Sequence, residues 1–152
     1  VVRLPTGDYH NDKLLNLSEN RFALRPQLGV SHQRGLWSAE LTGEVAFYAE
    51  NDDFFNDKHL EQEPLYVVHS HLFYTLRPGF WLGASVGYDY GGKTRIDGED
   101  KDDTKQDFGW GLSVGFPINR QTGIKLGYLN TRTQEDTGVD VESLSASITY
   151  MW

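Results

Sequence analysis

The chain has 152 residues, of which 38% are hydrophobic, and this length accommodates a single domain covering residues 1–152. The apolar residues are too dispersed to provide an uninterrupted window of 18 residues, which excludes a membrane-spanning helix. The 22 acidic residues outnumber the 14 basic residues and give a net charge of −8, which argues against a general nucleic-acid-binding surface. Because cysteine is absent, the chain forms neither a disulfide scaffold nor a thiolate metal site.

The N-terminal part begins with residues 1–4, which read as the end of a strand, and continues through a turn-forming cluster at 5–9 into a polar stretch. From residue 21 onward, apolar and polar residues alternate with the period of two that is typical of a β-strand. The pattern recurs and predicts seven strands, which are joined by a mixture of short turns and long charged connections. In chain order these strands are 21–31, 37–48, 66–77, 80–91, 108–116, 124–131 and 144–152.

Alternation does not by itself decide which face points inward, because a soluble sandwich or a lipocalin-like barrel shows the same period. Three features favour an apolar face turned outward, toward lipid. The polar face is rich in glycine and serine, short turns occur beside long charged loops, and aromatic residues gather at the strand ends. Outer-membrane barrels share these features, and their strands of about 11 residues span an apolar band of roughly 25 Å. The sequence therefore predicts an all-β, transmembrane antiparallel up-and-down β-barrel.

This arrangement assigns one apolar residue of each strand to the lipid-facing surface. The assigned residues are Phe22, Leu41, Leu72, Val86, Leu112, Leu126 and Ile148. The last strand carries Ile148, Tyr150 and Trp152 on one face, and this pattern resembles the terminal signal that the barrel-assembly machinery reads. We therefore expect a protein of the outer membrane of a Gram-negative bacterium, in contact with the lipid bilayer and lipopolysaccharide. Its acidic loops are expected to face the cell exterior, where simple solvation is favoured over specific cation binding.

Five segments, distributed over nearly the whole chain, resemble one particular family of outer-membrane proteins. They are residues 5–9 (PTGDY), 16–22 (NLSENRF), 44–54, 64–66 and 88–94 (YDYGGKT). These segments resemble the outer-membrane family described as the MetA-pathway of phenol degradation, whose members are transporter-like. The resemblance implies a barrel of about twelve strands, of which this chain is the C-terminal portion with seven full strands and a partial N-terminal strand. It also implies passive uptake of small molecules, aromatic or hydrophobic compounds among them.

Two functions remain open at this level. One is a passive channel, and the other is a non-conducting barrel that anchors or displays its loops. Eight strands leave an interior filled by side chains, whereas more strands open a pore, so the strand number discriminates between them. We expect no enzymatic activity and no cofactor, because Glu40 and Glu44 are accompanied by no nucleophile or pocket signature.

No metal site is predicted. His69 and His71 are two residues apart on one strand face, a spacing that can present two imidazoles to a metal, but no third ligand is evident. A hydrogen-bonded pair on the lumen wall is therefore favoured. The acidic segment 95–103 has the charge of a calcium loop but not the EF-hand spacing.

The charged residues on the polar faces of the predicted strands are the candidates for lining the lumen and setting its selectivity. They are Arg21, Arg25, Glu40, Glu44, His69, His71, Arg77, Asp89 and Lys125. A turn at Arg34-Gly35 would place Arg25 opposite Glu44. A three-residue turn from Pro78 to Phe80 would place His69 opposite Asp89, and one allowed register brings Glu44 near His71. These residues would form a belt of alternating charge on the inner wall.

Overall fold

The structure is a computed structural model that describes residues 1–13, 15–135 and 138–150. The described residues form thirteen β-strands, and no helix among them is long and apolar enough to cross a membrane. The strands are β1 (Val2–Arg3), β2 (Ala23–Leu24), β3 (Gln27–Arg34), β4 (Trp37–Tyr48), β5 (Asn51–Phe54), β6 (Lys58–Gln62), β7 (Leu65–Arg77), β8 (Phe80–Gly91), β9 (Thr94–Ile96), β10 (Glu99–Asp100), β11 (Lys105–Pro117), β12 (Thr122–Thr133) and β13 (Val141–Tyr150).

The main sheet, called the wall below, contains the seven long strands in the order β3-β4-β7-β8-β11-β12-β13. Every neighbouring pair is antiparallel, and each long strand pairs with the next long strand in the chain. This sequential order confirms the predicted up-and-down topology. Residues 1–4, predicted to be the end of a strand, contain β1, which pairs with β2 beside β4.

The first predicted strand, residues 21–31, is divided into two pieces. β2 pairs with the end of β4 at Phe47 and Tyr48, and β3 pairs with the rest of that strand. Between them lies Pro26, which has no backbone N–H to donate to a ladder. Its carbonyl still accepts a hydrogen bond from the Val45 N–H at 3.2 Å, so the two pieces stay aligned on β4.

Two of the long connections, predicted to be charged loops, form a second sheet, called the loop sheet below. Its strand order is β10-β9-β6-β5, and β6 pairs with β9 through Leu60 opposite Ile96 and Gln62 opposite Thr94. The turn between β9 and β10 is Asp97-Gly98, with φ of 52° and 79°. Asp-Gly with two positive φ angles is the two-residue turn that matches the twist of a hairpin, so the sequence did contain a signal for the β9–β10 hairpin.

The wall has its apolar side chains outside, in contrast to a soluble sheet. All seven residues assigned to the lipid surface are exposed, from 43% for Leu126 to 73% for Ile148; six lie in wall strands, and Phe22 lies just before β2. The opposite face of the wall, called the polar face below, carries the glycine, serine and charged residues. Five apolar residues are buried among the described residues: Ala23, Ala46, Leu60, Leu65 and Val67. Ala46, Leu65 and Val67 form a small core with Tyr48 where the loop sheet meets the wall.

Candidate functional site

The polar face of β7 carries a row of rings that continues onto β8. His69 and His71 lie 6.4 Å apart between ring centroids, and His71 is 6.1 Å from Phe73 in a stacked arrangement. Phe73 then meets Trp81 of β8 edge-to-face at 5.5 Å. The period of two places alternate residues of β7 on one face, so these rings form one line along the wall. We call His69, His71, Phe73 and Trp81 the ring row.

Rings of this row lie over glycines of the neighbouring strand. Phe73 pairs with Gly83, and a Cβ at Gly83 would come within 2.7 Å of the Phe73 ring. His69 pairs with Gly87, where a Cβ would lie 2.6 Å from the imidazole. Trp81 pairs with Gly115 and covers it in the same way. Because glycine has no Cβ, the rings can approach the backbone of the neighbouring strand closely.

The ends of the ring row carry opposite charges. The Lys125 Nζ lies 6.0 Å from the centroid of the Trp81 ring, within reach of a cation–π interaction. At the other end, the His69 Nε2 lies 3.9 Å from an Asp89 carboxylate oxygen. Between them, His71 Nδ1 is 2.7 Å from the Ser85 hydroxyl. The row is thus a line of aromatic surface with a cationic end and an acidic end.

Arg25 and Glu44 form an ion pair, with 33% and 15% of their side chains exposed. The register that brings them together is not the predicted one. Arg34 pairs with Trp37, so the turn is Gly35-Leu36 and Glu44 lies opposite Gln27. Gly35 has φ of +60°, and only glycine takes this angle readily at the first turn position, which shifts the turn by one residue and the pairing by two. The long arginine side chain reaches its partner diagonally.

The second predicted register is also shifted by two residues. Arg77 pairs with Phe80 across a Pro78-Gly79 turn, and a register irregularity follows between Thr75 and Arg77. His69 therefore lies opposite Gly87, and its contact with Asp89 is diagonal. The expected proximity of Glu44 and His71 is wrong, since β4 and β7 pair Glu40 with His71 and Glu44 with Val67. The predicted belt is therefore not a continuous alternation of charge.

Two further candidates lie away from this belt. Arg21 is buried, with 8% of its surface exposed, and donates hydrogen bonds to Glu19 and Gln62. Its guanidinium lies 4.7 Å from the Tyr48 ring, so Arg21 ties the N-terminal segment to the loop sheet. Arg77 lies beside the short turn, with its guanidinium carbon 5.7 Å from the Phe80 ring. It is placed at the rim of the wall.

Asp107 is a polar-face residue that the sequence analysis assigned to a loop. It lies in β11 directly opposite Asp89, and both carboxylates line a cavity of about 250 Å³ beside the ring row. His69, His71, Leu129 and Thr131 also line this cavity. The alternation of residues along the strand could have identified Asp107, because Asp107 lies two residues before Gly109 and four before Gly111 and so falls on the same polar face.

The loop sheet contains a dense set of ionised side chains. Asp100 accepts hydrogen bonds from Lys93 at 2.8 Å and from Arg95 at 2.7 Å. These two cations lower the pKa of the Asp100 carboxyl to about 2. The hydrogen bond between His59 and Asp52 raises the pKa of the His59 imidazole, against a smaller opposing effect of desolvation. The side chains in these contacts are partly or fully exposed.

Comparison with known families and structures identifies the chain. The family described as "Putative MetA-pathway of phenol degradation" matches residues 1–147. The chain belongs to this family. A crystal structure of an outer membrane channel from Pseudomonas putida F1 is similar over 99% of the chain, with 25% sequence identity and a TM-score of 0.79. The chain spans 57% of that structure's length. No curated protein matches the chain at a significant level.

Family membership and the structural similarity confirm the predicted fold and location. The wall is part of an outer-membrane β-barrel, and the related structure is described as an outer membrane channel. The polar face is therefore the lumen side and the apolar face is the lipid side. Within the predicted assembly signal, Ile148 and Tyr150 are exposed on β13, and Trp152 lies outside the described residues.

Proposed function

We propose that the complete protein is an outer-membrane channel for the passive uptake of small molecules, and that the ring row favours aromatic solutes. The unbroken row of rings on the lumen side of the wall carries this proposal. An aromatic solute can stack on these rings or meet their edges, and aromatic pairs gain about 0.5–1.5 kcal/mol beyond burial. Attraction of this size guides a solute without trapping it.

The charged residues beside the row would select among polar groups of the solute. Lys125 at one end attracts a carboxylate or phenolate, and the Asp89–Asp107 pair at the other end attracts an ammonium group. Arg25, Glu40 and Glu44 extend the polar face across β4, so we propose selectivity roles for them as well. Arg21 lies beside the loop sheet and Arg77 at the rim of the wall, so we propose no selectivity role for them.

A barrel wide enough to conduct needs strands beyond the seven described. The chain covers 57% of the related channel, which fits the expectation that it is the C-terminal portion of a barrel of about twelve strands. We also propose that the C-terminal strand engages the barrel-assembly machinery and that the loop side contacts lipopolysaccharide. The folded loop sheet keeps a non-conducting, loop-displaying barrel as the second candidate, because a display protein needs ordered loops.

Liposome swelling with the full-length protein tests the proposal. Phenylalanine and cyclohexylalanine are suitable solutes, because they are zwitterions of similar size that differ in aromaticity. We expect faster entry of phenylalanine, and loss of this preference in Trp81→Leu. The matched control is Trp110→Leu, which removes a tryptophan that packs on Tyr128 with ring centroids 5.3 Å apart. Equal entry of both solutes would refute the aromatic preference, and no swelling with any solute would favour the non-conducting barrel.

A further inference from the structure

His59, in the loop sheet, is surrounded by carboxylates on both sides of its ring. Its Nδ1 lies 2.6 Å from an Asp52 oxygen. Its Nε2 lies 3.3 Å from a Glu61 oxygen and 3.8 Å from a Glu50 oxygen. One ligand atom from each of Glu50, His59 and Glu61 can be chosen so that all three lie within 4.8 Å of one another.

The strand geometry holds these groups together. His59 and Glu61 are two residues apart in β6, so their side chains project from the same face of the sheet. Glu50 immediately precedes β5, which is joined to β6 by the pairing of Asn51 with Leu60. The backbone N–H of His59 also donates to Asp97 at 2.9 Å. The cluster is therefore fixed by two strands and a neighbouring turn.

The two separations measured from the His59 ring suit a transition-metal ion, and the two glutamate oxygens lie within 4.8 Å of each other. Tetrahedral zinc with ligand distances of about 2.0–2.2 Å separates neighbouring ligand atoms by roughly 3.3–3.6 Å. The distances from His59 Nε2 to Glu61 and Glu50 are 3.3 and 3.8 Å, close to this range. A metal ion between these three atoms would leave its fourth position to water.

Asp52 holds the other ring nitrogen of His59. A histidine that ligates a metal usually donates its other ring N–H to a carboxylate, which fixes the tautomer and the ring orientation. The 2.6 Å contact between His59 Nδ1 and Asp52 supplies this bond and leaves Nε2 directed at the two glutamates. Glu61 is held in turn, since its other oxygen accepts a hydrogen bond from Arg95 at 3.2 Å.

We propose that Glu50, His59 and Glu61 bind one divalent transition-metal ion, with Zn²⁺ as the preferred ion, and that Asp52 orients His59. The imidazole ligand sets the preference, because Ca²⁺ and Mg²⁺ take oxygen ligands whereas imidazole suits zinc and its neighbours. The site lies in the loop sheet, outside the wall, so it does not depend on conduction.

The test is Zn²⁺ binding to the full-length protein in detergent, measured by calorimetry in a buffer without chelating agents. His59→Ala is compared with His10→Ala, which removes an exposed histidine of the N-terminal segment. Glu50→Gln is compared with Glu99→Gln, where the replaced carboxylate contacts Lys101. We expect the two cluster variants to lose affinity by roughly 100-fold or more, and Asp52→Asn by about 10–100-fold. The two controls should stay within about twofold of wild type.

Co²⁺ gives an independent readout, because its visible absorption reports the ligand geometry directly. We expect the absorption of a tetrahedral nitrogen–oxygen site in wild type and its loss in His59→Ala, with unchanged far-UV circular dichroism. An excess of Ca²⁺ should not displace Zn²⁺. Unchanged Zn²⁺ affinity in His59→Ala, displacement by equimolar Ca²⁺, or no Zn²⁺ binding by folded wild type would each overturn the proposal.

Discussion

The wall and the loop sheet are both antiparallel, and they are stabilised in different ways. Wall strands contain 8 to 13 residues, whereas loop-sheet strands contain 2 to 5. In lipid, every backbone N–H and C=O must pair with another strand, so the wall depends on long uninterrupted ladders. The loop sheet is in contact with water and combines short ladders with ion pairs such as Lys93–Asp100 and Arg95–Glu61. Mutations are therefore expected to affect the stability of the two sheets differently.

The largest effect should come from placing a charge on the lipid side of the wall. Leu112 is 55% exposed on that side, and Leu112→Arg should lower the free energy of unfolding by roughly 2–4 kcal/mol. The neighbouring Ser113 lies on the polar face, so Ser113→Arg is the matched control and should cost much less. Urea unfolding of the full-length protein in lipid vesicles measures both. Equal destabilisation would show that the two faces are not distinguished by lipid.

Removing one partner of the Arg25–Glu44 ion pair should be the next largest effect. Loss of one partner from a fully buried pair costs about 3–5 kcal/mol, and because a third of Arg25 is exposed, we expect roughly 1–3 kcal/mol for Glu44→Ala. Arg25→Met combined with Glu44→Ala should recover part of this loss, since no unpaired charge remains. A double-mutant cycle from urea unfolding gives the coupling energy. Strictly additive losses would mean that the pair contributes nothing.

Filling a glycine beneath the ring row tests whether the lumen depends on the close approach of the rings to the wall. A methyl group at Gly115 would collide with Trp81, so Gly115→Ala should cost about 1–2 kcal/mol of stability and turn the indole into the lumen. Single-channel conductance of the full-length protein should fall, and the additional change Trp81→Ala should restore it. Gly43→Ala is the control, because its Cβ would have no described atom within 4 Å. A conductance unchanged by Gly115→Ala would contradict this dependence.

The smallest effect should come from the ion pairs of the loop sheet. Asp100→Asn removes the partner of Lys93 and Arg95, and global unfolding should not change measurably because exposed pairs contribute little. Amide exchange in β9 and β10 should become faster. Because the pKa of Asp100 is lowered from 3.8 to about 2, its contribution is fully present above pH 3.8 and is lost as the pH falls through 2. Exchange rates measured between pH 5 and pH 2 would follow this loss.

The alternation of residues was enough to predict the wall, its strand order and its lipid-facing residues. A period of two needs no tertiary information, and a face rich in Leu, Val, Phe and Tyr opposite one rich in Gly and Ser indicates which side meets lipid. Strand register was not predicted correctly. A shift of the strand pairing by two residues leaves every side chain on the same face of the sheet. The hydrophobic pattern therefore cannot distinguish Arg34 opposite Trp37 from Gln33 opposite Leu36. Glycine turn geometry made that choice.

The loop sheet shows what the sequence alone could not decide. Its strands are short and charged, so they carry no apolar period, and the Asp97-Gly98 turn was the clearest sign of a hairpin. The neighbourhood of His59 depends on the β5–β6 pairing, which joins residues that are nine apart in the chain, as Asn51 and Leu60 are. Sequence thus determined which residues face lipid, because that choice is local. Tertiary structure decided which charged residues meet, because that depends on register and on the pairing of the loops.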